Sequence, residues 1–175
     1  MKNTQPIITF SASVPAKASH DAVYDVLSDL ETHLTWAGEQ APNKKFRLLT
    51  MDAPGGRLGV GAQFSSTGAN GSMTFQDRLT VVVADPGRAF GFDSDSKLLR
   101  KHGKTLLSRF AHRYSIRQDG TISYTCDVWP QNYTPYWLTP WFRPMTKLMI
   151  NRSIRKNMQN LARMAEERDR SGASA

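Results

Sequence analysis

The chain has 175 residues, a length that fits one domain, leaves little room for a second, and can bury a core without staples. Hydrophobic residues make up 39% and charged residues 22%, which excludes a wholly disordered chain, and no apolar run approaches the ~20 residues that span a bilayer. The 23 Lys and Arg against 15 Asp and Glu leave a net charge of +8, a balance that suits nucleic acid, an anionic membrane or an acidic partner and equally serves solubility alone.

The opening MKNTQPIITF has one lysine and no apolar stretch, so no secretory signal is expected and the chain reads as cytoplasmic. Residues 1–5 and 169–175 are polar and patternless, which puts the ordered core of a single domain (1–175) at about residues 7–168. Over Ile7–Val14, Ile8, Phe10, Ala12 and Val14 alternate with Thr9, Ser11 and Ser13, the period of a half-buried strand that Pro15 helps to end. Ser19 then precedes Ala22, Val23, Val26 and Leu27, which wrap one helical face, and a second short helix is expected around Leu30–Trp36.

From about Lys44 to Pro130 the pattern is strands divided by turns. Pro54–Gly61 holds four glycines and reads as a loop. Asn70-Gly71 is the strongest short hairpin signal, and a two-residue loop there pairs Ala62 with Leu79, Phe64 with Asp77, Ser66 with Phe75 and Gly68 with Met73. Asp85-Pro86-Gly87 turns into Phe90 and Phe92; pairing Val83 with Phe90 sets Asp77 level with Ser96. In the next strand Leu106, Phe110, Tyr114 and Ile116 share a face, with Arg109, Arg113 and Arg117 on the other. A three-residue loop, Gln118–Gly120 with Gly120 left-handed, pairs Tyr114 with Tyr124 and His112 with Cys126. Cys126 is the single cysteine, so neither an internal disulfide nor a cysteine-based zinc site is expected. After the aromatic connector Trp129–Phe142 the spacing predicts a long helix from about Pro140 to Arg168, with Ile150, Ile154, Met158, Leu161 and Ala165 as its apolar stripe.

Strand, two short helices, about six more antiparallel strands and a terminal helix make an α+β domain with helices on one sheet face. On VPAKASHDAVYDVLSDLETHLTWAG near the start, DRLTVVVADPGRAFGF in the middle and NRSIRKNMQNLARMAEE at the end, the chain resembles the START-like, birch-pollen-allergen-type superfamily, in its polyketide cyclase/dehydrase-like (SRPBCC) branch. The resemblance covers about residues 7–168 and implies a helix-grip fold, a curved antiparallel sheet of about seven strands wrapped on the terminal helix. It also implies a cavity between sheet and helix for an apolar or amphipathic small molecule. It brings no shared catalytic motif, and no cofactor is expected.

Polar residues on the concave face are the informative ones, and four stand out: Asp77, Ser108, His112 and Cys126. Asp77 and His112 read either as an acid–base pair or as a carboxylate bonded to a loop backbone and a hydrogen-bonded core histidine. Pairing Phe90 with His112 separates the two by about six residues along the sheet, on the order of 20 Å, which excludes a dyad and leaves each as a single weak catalytic candidate. His112 with Cys126 gives two ligands, too few for a metal site.

The sheet's expected ligand-binding residues are Phe64, Phe75 and Phe92 with Phe110 and Tyr124, beside Asp77, Ser108 and His112. The connector and helix are expected to add Trp137, Trp141 and Met145, then Ile154 and Met158. Members of the resembled family that act as cyclases guide a poly-β-keto chain with polar cavity groups including arginine. Here Arg47, Arg78, Arg109, Arg113 and Arg117 take outward parity, and Arg57 alone could swing over a cavity mouth. The connector aromatics suit a cavity rim, a membrane interface or plain packing. The helix carries Arg143, Lys147, Arg152, Arg155, Lys156 and Arg163 with no acid until Glu166, so anionic lipid or an acidic carrier protein is an expected peripheral partner, and a solvated face is the alternative. Nucleic acid is disfavoured: GGRLGVG lacks the lysine and the strand–helix setting of a phosphate loop.

The expectation is therefore a binder or carrier of a hydrophobic or amphipathic small molecule (lipid, polyketide or quinone-like). A polyketide cyclase or dehydratase using the same cavity is the alternative.

Overall fold

A computed structural model describes residues 5–37, 46–70, 73–99, 103–135 and 139–172. Strand β1 (Ile8–Pro15) leads into helix α1 (His20–Ser28), a 3₁₀ turn (Leu30–Thr32) and the short α2 (His33–Trp36). Six strands follow: β2 (Phe46–Asp52), β3 (Gln63–Asn70), β4 (Met73–Asp85), β5 (Ala89–Leu99), β6 (Leu106–Ile116) and β7 (Thr121–Pro130). Helix α3 (Arg143–Gly172) closes the chain, starting and ending a few residues later than the apolar stripe predicts. The strands form one antiparallel sheet in the order β1-β7-β6-β5-β4-β3-β2.

Local chemistry sets these elements. The Ser19 hydroxyl accepts from the Ala22 backbone N–H at 3.3 Å, capping α1. Gly120 sits at φ +78° and closes the β6–β7 turn, where Ile116 faces Ile122, Tyr114 faces Tyr124 and His112 faces Cys126, the expected three-residue loop.

Two other registers differ from expectation. In β3–β4, Phe64 faces Leu79, Ser66 faces Asp77, Gly68 faces Phe75 and Asn70 faces Met73, an offset of two residues. In β5–β6, Phe92 rather than Phe90 faces His112. A shift of two keeps every side chain on its own face, so hydrophobic alternation fits both registers equally. Contacts decide between them. The ring of Phe75 lies across Gly68 so closely that a Cβ there would fall within it, which only glycine allows. Between Val81 and Val83 a bulge inserts one residue, so Ala84 rather than Val83 faces Phe90, while Asp77 still faces Ser96.

The core is one cluster on the concave face, joining α1, α2 and the C-terminal half of α3 to the sheet. Val26, Leu27, Val81, Phe90, Ile122, Leu161 and Ala165 are fully buried in it. Helix α3 also runs along the free edge of β1. Arg143 donates to the Ile7 carbonyl at 2.9 Å, the Ser11 N–H donates to Asn151 Oδ1 at 3.0 Å, and the Lys17 N–H donates to Glu166 Oε1 at 3.0 Å. Helix side chains thereby occupy backbone groups that an exposed edge strand would offer to another chain. Among the described residues no helix is long and apolar enough to cross a membrane.

Candidate ligand-binding site

The observed registers sort the concave face into rows that run across the strands. One row is Val81, Phe92, His112, Cys126 and Phe10; the next is Phe64, Leu79, Ser94, Phe110 and Val128. Beyond it lie Ser66, Asp77, Ser96 and Ser108, one from each of β3 to β6 and each directly opposite the next. Gly68, Phe75, Leu98 and Leu106 follow. A single polar row thus crosses an otherwise largely apolar surface, with successive rows about 7 Å apart.

Within that row Ser66 donates to Asp77 Oδ2 at 3.3 Å, and Ser96 stands directly opposite Asp77 on the next strand. At the far end Ser108 Oγ shares a 2.8 Å hydrogen bond with the hydroxyl of Tyr133, which reaches in from the connector. Burial pushes the Asp77 carboxyl up to about 6, against the opposing pull of the Ser96 and Ser66 hydroxyls. Asp77 Oδ1 and, one row away, Ser94 Oγ are buried and meet no partner in hydrogen-bonding geometry among the described residues. Orphaned buried polar atoms are uncommon and costly, and two at adjoining rows mark a place where a further donor fits.

The neighbouring aromatic row has different chemistry. His112 stacks on Phe92 with centroids 4.7 Å apart, and its Nδ1 shares a 2.6 Å hydrogen bond with the Tyr124 hydroxyl. Burial, reinforced by the Arg113 charge, pushes His112 down to about 3; burial pushes the Cys126 thiol up to about 12 and raises Tyr124 as well. The imidazole is therefore neutral and the thiol protonated near pH 7, a packed polar cluster without a nucleophile. His112 lies level with Phe92 and Asp77 level with Ser96, four residues along β5 and two strands apart. That is about 14 Å along the sheet and 10 Å across it. The separation is shorter than the sequence predicts, because the β5–β6 register differs, and still no acid–base pair forms.

Phe64, Phe75, Phe92, Tyr124, Ser108 and Met158 are buried, and Phe110, His112, Asp77 and Ile154 are half-buried. Trp141 is 90% exposed and Met145 54% exposed, so both point away from the interior. Trp137 lies outside the described residues. Ser66, Ser94 and Ser96 were not singled out from sequence, whereas Tyr133 belongs to the aromatic connector expected at a cavity rim. The three serines sit at the same strand parity as Asp77 and Ser108, and that parity was the available signal. Arg109 and Arg113 grip Asp93 on the outer face at 2.7 and 2.6 Å, and Arg57 is held by Asp25 at 2.5 Å rather than over the concave face. A groove of about 240 Å³ opens elsewhere, between Val14–Pro15 and Arg155, Gln159, Ala162, Arg163 and Glu166 of α3. Among the described residues no cluster of three or more His, Cys, Asp or Glu could hold a metal ion.

Solved structures share this arrangement. The chain is similar to an uncharacterised protein from Rhizobium leguminosarum, with a TM-score of 0.62 and 14% identity over 91% of this chain and 95% of that one. It is similar to ginseng major latex-like protein 151 from Panax ginseng, with a TM-score of 0.52 and 10% identity over 89% of this chain and 94% of that one. This is the helix-grip fold. A protein from Thermus thermophilus shares it too, with a TM-score of 0.61 and 10% identity over 91% of this chain and 98% of that one. At such identities the likeness carries the fold alone. No family model and no curated protein matches the chain.

Proposed function

We propose that the helix-grip domain is a cytoplasmic binder or carrier of an amphipathic small molecule, held between the concave face and α3. The carrying observation is the polar row Ser66–Asp77–Ser96–Ser108 across an apolar face, with Asp77 Oδ1 within it and Ser94 Oγ one row away unpartnered among the described residues. Aromatic side chains on the neighbouring rows cover the ligand's apolar body, at roughly 25 cal/mol per Å² before the costs of association. The polar row fixes the other end. A carboxylate and hydroxyls favour a ligand hydroxyl or amine that donates, as in a lipid, a reduced quinone or an enolised polyketide.

The neutral amphiphile 1-aminoanthracene tests this reading. It should bind saturably with one site per chain, and Asp77→Ala should weaken it about tenfold by removing a charge-assisted hydrogen bond. Non-saturable binding, or affinity unchanged in both Asp77→Ala and the filled variant Ser94→Phe, would contradict it.

The Asp77 carboxyl, pushed up to about 6, favours one second reading. Near neutral pH such a group both accepts and donates protons. In a dehydratase of the family the sequence resembles, Asp77 would take the α-proton of a β-hydroxy ketone, the C–O bond would break as the C=C bond forms, and the same proton would pass to the departing hydroxyl, releasing water. His112, held neutral in the aromatic row, takes no part in that step.

A further inference from the structure

Five of the large apolar residues that stand exposed crowd the start of α3: Trp141 at 90%, Leu148 at 68%, Met145 at 54%, Met149 at 52% and Phe142 at 50%. They belong to one continuous helical surface, since Phe142 and Arg143 both donate their N–H to the Thr139 carbonyl, and Thr146 donates to Phe142, at 2.9–3.1 Å. At about 100° per residue the five fall within an arc of about 120°. Arg152, Lys156 and Arg163, all exposed, continue that same arc further along the helix, and Arg155, also exposed, lies about 20° beyond its edge. The opposite side carries Ile150 and Ile154, half-buried, then Met158, Leu161 and Ala165, buried in the core.

No Asp or Glu occurs between Asp127 and Glu166. The acids beyond that point include two that anchor the other end of the helix. Glu166 accepts from the Lys17 N–H, and Asp169 accepts from the Ser19 hydroxyl at 2.6 Å and its N–H at 3.2 Å. One outward face thus runs from bare apolar and aromatic groups to bare cations.

We propose that this face of α3 docks on an anionic lipid surface. Trp141, Phe142, Met145 and Leu148 enter the boundary between headgroups and acyl chains, and Arg152, Arg155 and Lys156 lie against lipid phosphates. A tryptophan at the tip suits that boundary, where its ring is dry and its N–H still finds a partner. Apolar groups followed by cations on one helical face are the composition of an interfacial helix that lies on a membrane. A second copy paired in parallel, face to face, would set four cations against four, whereas lipid phosphates neutralise them; an antiparallel dimer is an outcome of the test below. The inference rests on the outer surface and is independent of the ligand reading.

Flotation of the full chain with phosphatidylglycerol–phosphatidylcholine vesicles, and with phosphatidylcholine alone, tests it. Binding is expected to the anionic vesicles at low salt, to fall as salt shortens the screening length, and to blue-shift the Trp141 emission. Arg152→Ala with Arg155→Ala should weaken partitioning roughly 25-fold, about fivefold for each cation lost near the surface. Leu148→Glu should abolish the blue shift. All three positions are exposed, so unchanged circular dichroism is expected in each variant. Binding to neither vesicle at low salt would overturn the proposal. Binding that is unchanged in both variants, a concentration-dependent dimer that buries Trp141 without lipid, or capture only by an acidic polypeptide would overturn it as well.

Discussion

Asp77 combines a carboxyl group, two hydroxyl neighbours and one unpartnered oxygen, and its ionisation should be measurable in the stability of the chain. Its pKa rises from 3.8 to about 6 on folding, so between those values the folded state holds more proton than the unfolded state. Stability contributed by this group therefore falls as pH rises through that window, by on the order of 2–3 kcal/mol. His33 and His112 act in the opposite direction. Burial lowers them from 6.5 to about 4 and about 3, so the unfolded state takes up protons first and stability falls as the pH drops below 6.5. The difference between wild type and Asp77→Asn isolates the carboxyl. Urea unfolding should show the variant gaining about 2–3 kcal/mol on wild type between pH 4 and pH 7. A difference that stays flat with pH would show that Asp77 ionises as freely in the folded chain as in the unfolded one.

At the scale of elements, what the sequence reveals follows from which interactions are local. Alternation in β1, the Ser19 cap and the glycine at 120 are short-range signals, and each element appears where those residues put it. Register is not short-range. Sliding β3 on β4, or β5 on β6, by two residues preserves every face, and the deciding contacts, such as Phe75 over Gly68, join residues distant along the chain. The same slips hid the polar row. In the expected registers Asp77 faces Phe64, and Ser96 is not brought opposite Ser108, so Asp77 and Ser108 read as isolated candidates. The long helix was legible from its stripe, but its two ends have different roles. Ser19 caps α1 and binds Asp169, and Arg168 reaches Asp29 at 3.2 Å, so the C-terminal half is tied to the domain. Ser19→Ala removes the cap and one tether together. It should cost about 1–2 kcal/mol in denaturant unfolding. Destabilisation under a few tenths of a kcal/mol would show that neither contact matters in solution.

For the molecule as a whole, the fold is an arrangement of surfaces around one face. Seven strands curve so that aromatic rows and one polar row look inward, and α1, α2 and the C-terminal half of α3 cover part of that face. Arg109 and Arg113 pair with Asp93 on the outer face, and the rows of the concave side carry no cationic side chain among the described residues. That layout suits a neutral amphiphile better than an anion. Native mass spectrometry of the gently purified chain, paired with mass spectrometry of its organic extract, would reveal such an occupant. A stoichiometric apolar adduct bearing a hydroxyl or amine is expected, diminished in Asp77→Ala. A chain that stays at its bare mass, even after incubation with neutral lipids and hydroquinones, would contradict it.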